Sequence, residues 1–191
     1  MARPAGDLTM MKPLSMVSAI ESAFAAARSP RRTAPRWRGH ARPGESRCSF
    51  FTPLHYEPGY GYPVVIWLHG PGADERQLQR VMPLLSMRNY VGVAPRGNIR
   101  LQPGIACDWS PASEQLGWVD DLVLDALQAA KKKYHVDSRR VFIAGFQTGG
   151  STALQAALRY PERFAGAISM GGAFPKVQIP LSRLHEARRC W

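Results

Sequence analysis

The chain has 191 residues, enough for one domain with a sizeable core, and its 45% apolar content is ordinary for a soluble globular protein. Its three cysteines (Cys48, Cys107 and Cys190) are widely separated, which excludes a disulfide framework and a zinc site. They favour a reducing compartment, so we expect a cytoplasmic protein. No apolar run approaches the ~20 residues of a membrane-spanning helix, which excludes an integral membrane helix.

The net charge of +11 is concentrated at the amino end. Residues 1–47 hold nine basic against three acidic residues, whereas the rest of the chain holds 16 against 11. The segment SPRRTAPRWRGHARPGE is rich in Pro and Arg and has no apolar periodicity, so we predict a flexible basic arm over 1–47. Such an arm suits an anionic surface or an acidic partner, and the alternatives are an idle tail or an organelle transit peptide. We predict no specific nucleic acid partner.

Beyond residue 47, predicted strands alternate with predicted helices. RCSFFTPLHY has the aromatic and alternating apolar residues of a strand, and GYPVVIWLHG contains the continuous apolar run of a fully buried one. DERQLQRVMPLLSMRN has helical apolar spacing, although Pro83 is expected to kink it or end it early. YVGVAPRG predicts a further short strand, and the Gly- and Pro-rich stretch from Gly97 to Gly117 predicts a loop.

The second half continues the alternation. WVDDLVLDALQAAKKKYHVD repeats apolar residues at helical spacing and carries its acidic residues first and its lysines last, as the helix dipole favours. RRVFIAGF is predicted as a strand, GSTALQAALRY as a helix closed by Pro161, and FAGAISMGG as a strand. The fold class is therefore α/β over residues 48–191, with a mostly parallel sheet covered by helices on both faces.

In such sheets the chemistry gathers at the carboxyl ends of the strands. The predicted order places three loops there: residues 69–72 (HGPG), residues 95–97 (PRG) and residues 145–150 (GFQTGG). The last has the glycines of a nucleophile elbow, a sharp turn that presents a serine between strand and helix. Here Gln147 stands at the tip.

Together, VIWLHGPGADE, VGVAPRG and the string from Val136 to Pro175 resemble the phospholipase/carboxylesterase family of α/β-hydrolases in order and spacing. The resemblance implies a serine hydrolase of carboxylic esters, thioesters or lysophospholipids with a Ser-Asp-His triad. It also implies an oxyanion hole whose two N–H donors align with Pro71 and Thr148. Proline has no N–H, so Gly72 is the candidate replacement donor.

Residue chemistry indicates that this site is impaired. Gln147 occupies the nucleophile position, and a primary amide cannot form an acyl-enzyme. The stretch after Pro175 contains no Asp, and its only histidine, His185, lies among arginines, so we expect the triad Asp and His to be absent. Thr148 and Ser151 are substitute hydroxyls without a positioned base.

The remaining polar residues near the strand ends are expected to be structural. For His69 we favour a role in shaping the His-Gly loop over a role as base. Asp74, Glu75 and Asp108 lack metal-ligand spacing, so we expect surface or capping roles and predict no metal and no cofactor.

We therefore expect a carboxylesterase-like chain, truncated before its last strands and catalytically inactive. Its alternatives are an active ester hydrolase whose site is non-standard or completed by a partner, and a basic-arm binding protein on a hydrolase scaffold. A small ester or a lipid-like molecule is the expected ligand. The early end would leave FAGAISM as an exposed apolar edge, which favours self-association.

Overall fold

The computed structural model describes residues 47–102, 106–109 and 116–174. The predicted basic arm, apart from Arg47, and the residues after Phe174 lie outside the described part, and so does His185. The strands are β1 (Cys48–Phe51), β2 (Tyr62–Leu68), β3 (Val91–Pro95), β4 (Ile99–Gln102), β5 (Ala106–Asp108), β6 (Val136–Phe146) and β7 (Gly166–Met170). The helices are α1 (Leu78–Leu85), α2 (Leu116–Lys133) and α3 (Thr148–Arg159), with 3-10 turns at Glu75–Gln77 and Pro161–Arg163.

Five strands form the main sheet in the order β1-β3-β2-β6-β7. The pairs β3–β2, β2–β6 and β6–β7 are parallel, and β1 runs antiparallel to β3. This mixed, mostly parallel sheet with crossover helices confirms the predicted α/β class. Leu68 pairs with Gly145, and Ala144 with Ile168, so the carboxyl ends of β2, β6 and β7 meet at one edge.

The core has a layer of helix on each side of the sheet. Every residue of β2 is buried, as the continuous apolar run predicts. Val64, Ile66 and Leu68 pack with apolar residues of α2 and α3. The side chain of Trp67 lies on the opposite face of the sheet, because successive residues of a strand alternate between its faces. It reaches the 3-10 turn before α1 and donates a hydrogen bond from Nε1 to Gln77 Oε1 (2.9 Å).

One local feature differs from the sequence prediction. The stretch predicted as a loop from Gly97 to Gly117 contains an antiparallel pair, β4 with β5. Short strands that pair mainly with each other carry little apolar periodicity, which is why the pattern missed them. Pro83 lies inside α1, and the helix ends two residues later at Leu85, in agreement with the expected early end.

No helix within the described ranges is long and apolar enough to cross a membrane. β7 is the last strand of the described sheet on its side, and Ile168 is 52% exposed there. Self-association through this edge stays a prediction.

A buried carboxylate joins α2 to the end of α3. Asp120 is only 5% exposed, Arg159 Nη1 lies 2.9 Å from its Oδ2, and the Tyr160 hydroxyl donates to the same oxygen at 3.3 Å. Burial raises the pKa of Asp120, while Arg159 and the Tyr160 hydroxyl lower it. The arginine thus offsets only part of the desolvation cost of this charge.

We predict that Arg159→Ala destabilises the fold by about 2–3 kcal/mol, because it leaves the buried Asp120 carboxylate without its cation. The expected loss is somewhat smaller than the about 3–5 kcal/mol for fully buried pairs. Urea unfolding measures the change. The matched control is Arg139→Ala, which removes an ion pair to Asp137 from an arginine side chain that is 91% exposed. That loss is expected to be much smaller, because exposed ion pairs contribute little to stability. Equal effects of the two variants would contradict the assignment.

Candidate functional site

A strained turn joins β6 to α3. Gln147 has φ 49° and ψ −115°, a conformation that side-chain-bearing residues rarely adopt, and its side chain is exposed. Its N–H donates to Met170 O (2.8 Å) and its carbonyl accepts the first helical hydrogen bond, from Ser151 N (3.0 Å). This strand-turn-helix geometry is that of the nucleophile elbow named from the sequence, with an amide side chain at its tip.

Backbone-to-backbone packing holds the elbow in place. A Cβ atom on Gly149 would lie 2.3 Å from Leu68 O and 2.4 Å from His69 O. A Cβ on Gly145 would lie 2.3 Å from Gly149 O. Only glycine permits these approaches, which set the start of α3 directly against the end of β2.

We predict that Gly149→Ala destabilises the protein by at least about 3 kcal/mol, because the obstructing atoms belong to backbone that cannot move aside. Thermal and urea unfolding measure the loss. Gly59→Ala is the matched control, since nothing lies within 4 Å of the Cβ it would add. Similar stability of the two variants would contradict the close packing.

His69 follows β2 and is completely buried. Gly97 N–H donates to its Nε2 (2.9 Å), so Nδ1 carries the ring proton and donates to Gly70 O (2.9 Å). Trp109 packs against the ring at 5.0 Å and donates from Nε1 to His69 O (2.9 Å). Both ring nitrogens are therefore engaged with backbone, as in a histidine that shapes a loop.

Burial lowers the pKa of His69 below 6.5, against the raising effects of Gly70 and of nearby carboxylates. The unfolded chain consequently takes up this proton more readily than the folded one. The neutral His69 ring therefore stabilises the folded state fully above about pH 6.5. This contribution to the free energy of unfolding is lost as pH falls from there towards the lowered pKa of the folded state.

We predict that His69→Gln reduces the fall in melting temperature between about pH 7.5 and about pH 5.5, because glutamine does not titrate. Circular dichroism melts at the two pH values measure it. His135→Gln, at an exposed histidine, is the control that should keep the full pH dependence. An unchanged fall in the His69 variant would show that this ring does not govern it.

The two oxyanion-hole positions differ in what they offer. Pro71 has no N–H. Gly72, at φ 77°, donates its N–H to Cys107 O (3.0 Å), and Cys107 N–H donates to Ala73 O (2.9 Å). The Gly72 N–H is thus used in a bridge to β5. The Thr148 N–H belongs to the first turn of α3, where backbone N–H groups have no acceptor inside the helix.

β5 contributes an acidic side chain to the site. Thr148 Oγ1 donates to Asp108 Oδ1 (2.6 Å), and the same oxygen accepts from Trp109 N (2.8 Å). The sequence marked Asp108 only as an acid near the strand ends. Its partner could not be found without the β4–β5 pairing, and the tryptophan carried no motif signal at all.

The neighbouring polar residues have structural partners. Glu75 accepts two hydrogen bonds from Arg96, at 2.5 Å and 2.7 Å, and Asp74 caps the 3-10 turn by accepting from Arg76 N (2.9 Å). Ser151 Oγ donates to Ala173 O (2.7 Å). Hydrogen bonding to Glu75 raises the pKa of Arg96. Within the described ranges no three His, Cys, Asp or Glu side chains form a group that could hold a metal.

Comparison with known proteins gives one family match. A model of the Esterase family, described as "Putative esterase", matches residues 40–187. The "Putative esterase NocK" of Nocardia uniformis subsp. tsuyamanensis is 31% identical over 136 residues, which are 64% of this chain and 38% of that protein. The chain thus spans about two fifths of the length of this curated relative.

Solved structures show the same fold. The acetyl xylan esterase from Aspergillus awamori has a TM-score of 0.55 at 17% identity, over 67% of this chain and 47% of that one. The Bacillus cereus carboxylesterase has a TM-score of 0.55 at 20% identity, over 72% and 65%. The matches confirm the resemblance to α/β-hydrolase esterases that the sequence motifs indicated.

Proposed function

We propose, on the premise that this chain belongs to the Esterase family, that it binds a small carboxylic ester at the elbow without hydrolysing it. The family is that of carboxylesterase-like hydrolases. The observation that supports a silent site is Gln147, which stands exposed at the tip of an elbow whose backbone geometry is otherwise intact.

The first argument against hydrolysis is that the elbow has no nucleophile at its tip. An ester hydrolase of this fold needs a hydroxyl or thiol that a neighbouring base can deprotonate. The amide of Gln147 has neither a suitable proton nor a nucleophilic atom. In a serine hydrolase, removal of the nucleophile costs about a millionfold in kcat.

The second argument against hydrolysis concerns the general base. The histidines in the described ranges are His55, His69 and His135. His69 has both ring nitrogens engaged. His135 precedes β6 and donates from Nδ1 to Pro58 O, and His55 lies between β1 and β2, so both are at the amino ends of the parallel strands. None of the three is placed to activate a hydroxyl at the elbow.

Hydrogen-bond donors at the elbow would bind the ester in the absence of turnover. The first turn of α3 presents N–H groups and the positive end of the helix dipole, both of which favour a carbonyl oxygen. Gln147 adds an exposed amide that can donate to the same oxygen. Hydrogen-bond donors are thus kept where the nucleophile is lost.

A second candidate, active ester hydrolysis through Thr148, is favoured by one observation. The Thr148 hydroxyl donates to Asp108 at 2.6 Å, which is the contact a carboxylate base would make. Thr148 is, however, one position past the tip and inside the first turn of α3. The elbow conformation therefore presents Gln147 rather than Thr148.

We expect the unmodified protein to be unlabelled by a fluorophosphonate probe and to leave p-nitrophenyl butyrate intact, because no activated hydroxyl faces the ligand. Active-site labelling and release of p-nitrophenol measure this. Gln147→Ala should behave identically, and so should Gln147→Ser, because no histidine in the described ranges is placed to activate the new hydroxyl. Labelling of the unmodified chain that disappears in Thr148→Val would establish the second candidate instead.

Ligand binding is measured separately by saturation-transfer NMR with the same ester. The proposal expects the ester to bind and to remain chemically intact, and Gln147→Trp to block it by filling the tip. Absence of binding to the unmodified protein would contradict ester recognition.

A further inference from the structure

We propose that a cleft at the opposite end of the sheet binds a small aromatic carboxylate. The cleft has a volume of about 420 Å³, within the ~300–1,000 Å³ of small-molecule sites. We call it the amino-edge cleft, and the lining residues that carry the argument are Glu57, Tyr60, Tyr62, Arg88, Tyr90 and Arg140.

This cleft is separate from the elbow. Tyr62 opens β2 and Tyr90 precedes β3, so the cleft lies at the amino ends of the parallel strands. The elbow follows the carboxyl end of β6. The seven residues of β2 separate the two ends by about 20 Å. A ligand in the cleft would not contact Gln147.

Arg140 is held in a fixed orientation at the cleft. Its Nε donates to Asp137 Oδ2 (2.9 Å) and its Nη2 donates to Gly61 O (2.6 Å). Its guanidinium also lies 5.8 Å from the centroid of the Tyr60 ring. A guanidinium whose rotamer is already fixed loses less side-chain entropy on binding an anion.

Arg88 supplies a second cation. It lies in the turn between α1 and β3, where its backbone N–H and that of Asn89 donate to Ser86 Oγ (3.2 Å and 3.1 Å). Its exposed side chain has no hydrogen bond or ion pair with the described residues. The turn therefore places a guanidinium at the cleft whose donors are available to a ligand.

Aromatic side chains provide the apolar part. Tyr60 is 47% exposed and packs edge-on against Tyr62, with ring centroids 4.7 Å apart. Tyr62 is only 6% exposed, and its hydroxyl accepts from Glu57 N (3.1 Å), so its own proton remains to be donated. A flat ring beside Tyr60, with its acid group towards the arginines, uses both features.

The charge of the lining selects the anion. Asp137, outside the lining, pairs with Arg140, so Arg88 is the one lining arginine without an ion pair to a described residue, and Glu57 is the one lining carboxylate. This balance suits a monoanionic carboxylate and disfavours a dianionic phosphate. The ligand class is therefore an aromatic acid with one negative charge.

Benzoate titration of the full chain by NMR or calorimetry tests the site. We expect a Kd of about 0.1–1 mM, as for a fragment of this size. Arg88→Gln should weaken binding at least about tenfold, because it removes a charged donor that makes no internal contact. Arg80→Gln, at an exposed arginine on α1, is the matched control and should leave the affinity unchanged.

Two comparison ligands check the chemistry. Benzamide, which keeps the ring but lacks the charge, should bind much more weakly than benzoate, and phenyl phosphate should not bind more tightly. Melting curves verify that the Arg88 variant is folded. Any of four results would overturn the proposal: equal benzoate affinity in Arg88→Gln, equal binding of benzamide, tighter binding of phenyl phosphate, or no binding of benzoate at about 10 mM. That concentration is about tenfold above the weakest Kd expected of a fragment.

Discussion

The contact between the start of α3 and the end of β2 is made by bare backbone, and the arrangement of the site depends on it. Gly149 approaches Leu68 O and His69 O so closely that no side chain fits between them. This approach fixes the direction of the chain at Gln147, whose side chain is exposed. Fold and chemistry are therefore separable in this chain.

A second set of contacts explains why no histidine of the described residues can act as a base at the elbow. His69 connects the loop after β2 to the loop after β3 through Gly97, and Gln77 Oε1 accepts from both Trp67 Nε1 and Gly70 N. Such buried bonds rigidify the carboxyl edge because an unpaired polar group would be costly there. Both ring nitrogens of His69 are used in structural hydrogen bonds, and Thr148 and Asp108 bond to each other at the same edge. Rigidity of this kind suits binding.

Family membership and residue chemistry consequently describe different levels of the molecule. The Esterase family model matches residues 40–187, a range that includes the described sheet and the glycines of the elbow. Ester hydrolysis depends on a few side-chain atoms. The elbow of this chain has the backbone geometry of the turn with an amide, Gln147, at its tip. The amino-edge cleft lies away from both, since its arginines and tyrosines come from turns and strand starts at the other end of the sheet.

The α/β class, the order of the main strands and helices, the buried character of β2 and the residue at the elbow tip could be predicted from the amino-acid sequence. These follow from apolar periodicity and from local glycine patterns, which act over a few residues. Three contacts came to light only in the folded chain: Thr148 bonds to Asp108, Gly72 N–H is used by Cys107, and Arg88 and Arg140 line one cleft. These contacts join residues 35 to 52 positions apart or pass through the short β4–β5 pair. Their formation is set by how the chain packs around the sheet, and no local pattern encodes it.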